Sequence, residues 1–188
     1  MLAGEQFQSL CDIGLYTETN SIIEDQNKAI NQNIHKISNI SVEDIKKYNI
    51  IFVYTHFVHD FMHKFLDYLD NATIVTHNSD HSIFSIPIGI ANSQWSHGNQ
   101  AAIKSIKENN TLKTNLVYKN FQVDTNHGER AACNHITNKN GILMNSNTSQ
   151  EMYWDNIKKS LFVISPPGNG IDCHRIWECL YLQSVPVV

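Results

Sequence analysis

The sequence predicts an α/β protein with two parallel-sheet halves, the second of them incomplete. Three observations carry this expectation. Short continuous apolar runs at 50–54 and 161–165 are bounded by polar residues, the mark of strands covered on both faces. Between such runs, apolar residues recur at helical spacing, as in Val58, Phe61, Met62, Phe65 and Leu69. Strand, helix and strand in this order imply right-handed crossovers and a parallel sheet.

Taken along the chain, residues 5–13 read as a short helix with Phe7, Leu10 and Cys11 inward, and 17–40 is Asn- and Gln-rich with no clear period. Ser41-Val42-Glu43-Asp44 has the form of a capping box before a short helix. A strand at 50–54, a helix over 58–69 and strands at 73–76 and 84–88 follow. Residues 89–99 are loop-like and lead to a helix over 99–108. A second series then begins: strand 115–121, a helix from Asn126 to Thr137, and a short apolar patch at 142–144. Thr148-Ser149-Gln150-Glu151 is a further capping box opening a helix to Ser160. Strand 161–165, a glycine loop at 166–171, a helix over 172–183 and a strand from 185 complete it. The alternation divides near 89–112, which gives an N-terminal half at 1–100 and a C-terminal half at 112–188.

Composition narrows the function classes. Of the 188 residues, 41% are hydrophobic, enough for a packed core. The net charge of −4 and the lack of any Lys/Arg block argue against nucleic-acid binding. Small phosphorylated ligands stay open, because one Arg and a helix end can hold a diphosphate. The N-terminus has neither a basic stretch nor a long apolar run, so no signal peptide or membrane segment is expected and the predicted location is cytoplasmic. Cys11, Cys133, Cys173 and Cys179 form no C-x-x-C pair, which predicts free thiols in a reducing compartment.

The most informative stretch is Ser165-Pro166-Pro167-Gly168-Asn169-Gly170-Ile171-Asp172-Cys173-His174-Arg175-Ile176-Trp177-Glu178-Cys179-Leu180. A buried strand delivers the chain to a glycine loop that lets a ligand approach the backbone, and Asp172 is placed to cap the next helix. The free N–H groups of that helix's first turn attract phosphate. Arg175 can add a bidentate contact to a diphosphate. Glu178, about 60° round the helix from Arg175, can take a ribose diol in the same cleft, while Cys173, Ile176 and Leu180 pack on the sheet. The alternative is a plain structural turn with Arg175 and Glu178 as a surface i,i+3 ion pair.

This stretch, continued as Tyr181-Leu182-Gln183-Ser184-Val185-Pro186-Val187, resembles the donor-site signature of exostosin-like glycosyltransferases, S-P-x-G-x-G-x-D-x-x-R-x-x-E-A-L-x-x-G-x-I-P-V. It is most similar to microbial and giant-virus members. Thr76-His77-Asn78-Ser79-Asp80 and the Trp95 segment are similar to the end of the acceptor half. Tyr118-Lys119-Asn120-Phe121 through Arg130 is similar to the first strand, loop and helix of the donor half.

The resemblance implies a GT-B fold of two Rossmann-like domains, transferring a sugar from a nucleotide donor to a carbohydrate or other hydroxyl acceptor with inversion and no obligatory metal or cofactor. It implies that Arg175 holds the diphosphate and Glu178 the ribose; Gly168, Asn169, Gly170 and Asp172 of the loop and Asn120 are further candidate donor contacts, and Arg130 either reaches the diphosphate from the other side of the cleft or is a surface arginine. Against the family pattern, the chain ends one strand after the motif and the acceptor half is short, so a non-catalytic, nucleotide-binding remnant is the rival expectation.

Three further groups of residues bear on chemistry. His77 or Asp80 can serve as the base that deprotonates an acceptor hydroxyl, with loop capping by Asn78 and Asp80 as the alternative. His59 and His63 at i,i+4, with His56 nearby, can hold a metal only with a third ligand, and otherwise form a solvated polar face. Trp95 and Trp177 are expected in the core or at a domain interface, and Trp154 in the core.

Overall fold

The computed structural model describes residues 4–16, 33–69, 72–79, 83–93, 95, 97–146 and 148–188. The protein is a mixed α/β chain with two parallel sheets, and it divides into compact units Leu2–Ile88 and Gly89–Val188.

In the first unit, strands β1 (Ile13–Tyr16), β2 (Ile34–Lys36), β3 (Ile50–Val53), β4 (Thr73–Thr76) and β5 (Phe84–Ser85) lie in the order β2-β1-β3-β4-β5. All four pairings are parallel, and the order is that of a doubly wound sheet. Helices α1 (Gly4–Gln8), α2 (Val42–Ile45) and α3 (Val58–Phe65) accompany it. Ile13, Leu15, Ile45, Ile51, Val53, Phe61 and Phe65 form its core.

The helix expected over 5–13 stops at Gln8, and Leu10 is exposed rather than inward. The Asp12 carboxylate explains the stop: it accepts the backbone N–H of Asn49 at 2.7 Å and of Ile50 at 2.9 Å, which pins the start of β1 beside β3. Because β1 is central and covered on both faces, its four residues are all buried and show no alternation. Of the unread 17–40 stretch, 34–39 forms β2 and a 3₁₀ turn, and 17–32 lies outside the described residues. Ser41 caps α2 as predicted, accepting from the Asp44 N–H at 3.1 Å. The 58–69 helix is α-helical only to Phe65 and tightens into a 3₁₀ turn at Leu66–Tyr68. The strand expected over 84–88 is only Phe84–Ser85, at the sheet edge, with Phe84 exposed.

In the second unit, β6 (Asn115–Lys119), β7 (Ser160–Ile164) and β8 (Val185–Val187) pair in parallel in that order. Its helices are α4 (Gln100–Glu108), α5 (His127–Lys139), α6 (Gln150–Lys158) and α7 (His174–Tyr181). Tyr118 and Val163, on one sheet face, pack with Ile90, Ile103, Trp154, Ile157, Cys179 and Leu182. Ile90 and Ile103 of α4 belong to this core, so the division falls between Ile88 and Gly89, at the N-terminal end of the 89–112 interval. Ser149 caps α6 by accepting from the Met152 N–H at 3.2 Å, so the box at 148–151 acts one residue later than a Thr148 cap.

The opposite sheet face is only half covered. Lys119 and Ile164 are buried, and the Lys119 ammonium donates to Thr137 Oγ1 (2.7 Å) and Asn138 Oδ1 (2.8 Å) of α5 and to the Ile142 carbonyl (3.1 Å). The 142–144 patch is therefore a pinned loop and not a strand. The registered row Val117, Phe162 and Val185 lies open, with Phe162 38% and Val185 54% exposed. Strand 161–165 is thus not buried throughout as its sequence predicts. No helix among the described residues is long and apolar enough to cross a membrane.

Helix α7 ends in a Schellman motif: the Ser184 N–H donates to the Cys179 carbonyl at 2.8 Å and the Gln183 N–H to that of Leu180 at 3.1 Å. The motif places Gln183 in the left-handed region at φ 62°, where a side chain is strained. Gln183→Gly should not stabilise the second unit and should cost up to about 2 kcal/mol, because the lost bond to the buried Lys158 ammonium and the greater freedom of glycine in the unfolded chain together exceed the relieved strain. Urea unfolding of both forms measures the difference.

A candidate anion site at the start of helix α7

Strand β7 leads into the glycine loop, which turns through a Gly168 N–H to Gly170 carbonyl bond of 3.0 Å and reaches α7 at His174. Asp172 is not the N-cap: that residue is Cys173, whose side chain bonds no N–H of the first turn. Asp172 Oδ1 instead accepts from Trp177 Nε1 at 2.6 Å, bracing the loop against the helix. The Cys173 side chain thus does not compete for the first-turn N–H groups, and the start of a helix favours an anion.

Two guanidinium groups lie near one another here, Arg130 against the loop and Arg175 on the first turn of α7. Arg130, 5% exposed, donates from Nε to the Pro167 carbonyl at 2.7 Å and from Nη1 to that of Gln122 at 2.7 Å. A Cβ on Gly168 would stand 3.1 Å from Arg130 Nη2, so glycine here leaves room for that cation. Arg175 is half-buried and donates from Nε to the Tyr153 hydroxyl at 3.0 Å. Both guanidinium carbons approach the Phe121 ring, at 5.8 and 5.9 Å from its centroid. Among the described residues neither cation has a carboxylate within salt-bridge distance. Burial and the charge of Arg175 pull the Arg130 pKa down. For Arg175 burial pulls the same way, but Tyr153 and Glu178 outweigh it and the net shift is upward.

Glu178 does not line a cleft as its spacing from Arg175 implies. It is buried, with Oε1 accepting from Trp154 Nε1 at 2.9 Å and Oε2 from the Tyr153 hydroxyl at 3.1 Å. The inward stripe of α7 is Arg175, Glu178, Cys179 and Leu182, whereas Leu180 of the predicted apolar stripe is 54% exposed. Two aromatic donors on α6 reverse the orientation, since they make burial of a carboxylate affordable. Asn120 also serves the scaffold, donating to Thr148 Oγ1 at 2.8 Å and the Tyr118 hydroxyl at 3.0 Å. Asn169 is exposed on the loop, and Asn126 holds the loop by donating to the Gly168 carbonyl at 3.1 Å.

The structure thus brings Arg130 to Gly168 and both Arg130 and Arg175 to Phe121, and it holds Glu178, Asp172 and Asn120 in supporting contacts. Phe121 and Tyr153 escaped the sequence reading. Their only signal was an aromatic before a loop and an aromatic beside Trp154, both of which read as core. Trp154 is core as expected, Trp177 is half-buried, and Trp95 is exposed on its loop, against His97.

In the first unit His77 is buried, 8% exposed. Its Nδ1–H donates to the Ile86 carbonyl at 3.1 Å, which leaves Nε2 to accept from Gln8 Nε2 at 3.2 Å. The lone pair needed by a general base is occupied, contrary to the base role expected of it. Asp80 lies outside the described residues. No group of three His, Cys, Asp or Glu side chains among the described residues is placed to hold a metal, so His56, His59 and His63 gain no third ligand there.

No protein-family model matches this chain, and no match to it is found among curated proteins.

Burial pushes the Glu178 carboxyl above its ordinary 4.5, against the Trp154 hydrogen bond, the Arg175 charge and the Tyr153 hydrogen bond, which favour the anion. The folded state therefore holds this proton more tightly than the unfolded chain. The resulting stability is fully present below about pH 4.5, the unfolded value, and is lost as pH rises through the folded value. Glu178→Gln should flatten the stability–pH curve above about pH 4.5 relative to wild type, as read by denaturant unfolding at a series of pH values.

Proposed function

We propose that the second unit binds the diphosphate of a nucleotide sugar, and that the protein is a GT-B-type glycosyltransferase acting by inversion on a hydroxyl acceptor. The observation that carries this reading is that Arg130, packed at Gly168, and Arg175 both approach the Phe121 ring beside a helix start whose N-cap side chain makes no bond, with no carboxylate within salt-bridge distance of either among the described residues. For Arg130, burial and the neighbouring Arg175 charge disfavour the cation, a cost that a bound polyanion offsets. The motif's resemblance to the exostosin-type donor signature supplies the reaction. The C1–O bond to the diphosphate breaks, the acceptor oxygen bonds to C1 from the opposite face, and the acceptor proton passes to a base. Charge growing on the departing diphosphate meets the guanidinium groups and the α7 N–H groups, a stabilisation largest in the transition state.

A second reading, nucleotide binding without turnover, is favoured by one observation: both ring nitrogens of His77 are engaged, so this candidate base is not free to act. Transfer assays with sugar nucleotides separate the readings, because binding without product in every acceptor tested supports the second.

Arg175→Ala should weaken diphosphate and nucleoside diphosphate binding by about 1.5–3 kcal/mol, the range for a charge-assisted hydrogen bond. Arg175→Lys should recover only part of that, since a point charge does not reproduce the planar fork. Calorimetric titration with UDP, GDP and inorganic diphosphate measures both, and unchanged affinities would remove the donor-site reading. Charge stabilisation by the protein alone further predicts equal affinity for a sugar nucleotide in EDTA and in Mg²⁺. An absolute requirement for the metal ion would overturn that part of the mechanism.

A further inference from the structure

The Tyr153 hydroxyl occupies a single position between opposite charges. It accepts from Arg175 Nε at 3.0 Å and donates to Glu178 Oε2 at 3.1 Å, so one phenol satisfies a cation and a buried carboxylate at once. Arg175 and Glu178 are three residues apart on α7, a spacing at which side chains pair directly, yet no direct salt bridge forms between them. The phenol stays protonated, as burial followed by the Glu178 charge lifts its pKa well above 10. Its ring is held against Tyr118, at 6.2 Å between centroids, and α6 packs on α7, so the hydroxyl is fixed by the core and not by the ligand.

We infer that Tyr153 is a positioning residue: its hydroxyl is a spacer that keeps Arg175 from collapsing onto Glu178 and holds the guanidinium, bound only through Nε, available to an anion at the start of α7. The inference rests on the donor-site reading above. Trp154 occupies the other Glu178 oxygen, so the carboxylate's demand for a second donor falls wholly on Tyr153. Without the hydroxyl, the nearest cation able to meet that demand is Arg175 itself. Buried carboxylates bind such a partner strongly because an unpaired charge is costly.

The test uses inorganic diphosphate as the probe, since it lacks a ribose and so does not report on any ribose contact. Tyr153→Phe keeps the ring and should lose about tenfold in diphosphate affinity. Glu178→Gln, which removes the competing charge, is the reference against which the double variant is read. The double variant Tyr153→Phe/Glu178→Gln should recover most of the loss, because the competing charge is gone. A merely structural role for the phenol would not give that rescue. On an Arg175→Ala background, Tyr153→Phe should have no further effect on binding. Circular dichroism melts report whether each variant folds. If Tyr153→Phe alone does not, the double variant, which no longer buries an unpaired carboxylate, carries the comparison with Glu178→Gln: near-equal affinities uphold the spacer and a persistent tenfold deficit overturns it. Wild-type protein without diphosphate affinity would remove the donor site and this inference together. Wild-type affinity retained in Tyr153→Phe would remove the spacer alone.

Discussion

A carboxylate buried behind the first turn of a helix must be given donors or lose its charge, and Glu178 is given two from the same neighbouring helix. Trp154 and Tyr153 are consecutive on α6, so they grip the two carboxylate oxygens side by side and fix both the rotation of α7 and its distance from α6. Everything at the loop follows from that rotation. With Glu178 turned inward, Arg175 one turn earlier is also turned inward, toward the sheet's carboxyl end, and Leu180 is turned out to solvent. Buried polar networks of this kind specify one arrangement more than they add stability, because a half-satisfied alternative is so unfavourable.

The loop is then held from the other side by Arg130. Its bonds to the Pro167 and Gln122 carbonyls join the segment after β6 to the segment after β7, so a single guanidinium ties the two adjacent strand ends of the sheet. That use of an arginine depends on its fork of donors, for which an ammonium is no substitute. It also brings a second positive charge beside Arg175, and the two share the Phe121 ring. The anchoring uses two nitrogens of the side chain: Nε and Nη1 hold the loop, while Nη2 faces Gly168.

The fold was largely legible where its cause is local. Ser41 and the Thr148–Ser149 pair announced their helices, and the apolar runs at β3 and β7 announced parallel strands. What stayed hidden has non-local causes. β1 is defined by Asp12 reaching Asn49 and Ile50, a contact 37 and 38 residues away that leaves no period in the sequence. The candidate site was legible in part of its layout, since Arg130 does lie against Gly168 and shares the Phe121 ring with Arg175, but not in what its other residues bond. Asp172 had a better partner in Trp177 than in the helix N-terminus, and the Glu178 partners lie 24 and 25 residues upstream. His77 resembled a free base because the loop after a parallel strand is where such bases sit, whereas Gln8, 69 residues away, claims its lone pair.

Lys119 offers something of a different kind. Its ammonium sits 1% exposed among oxygen acceptors, while Lys104 and Lys47 stand in open solvent. An acylating reagent in the surrounding buffer meets the surface amines at once and reaches this one only when α5 lifts from the sheet. The rate at which Lys119 becomes labelled is therefore a clock for local opening of the second unit, readable by mass spectrometry without any engineered probe.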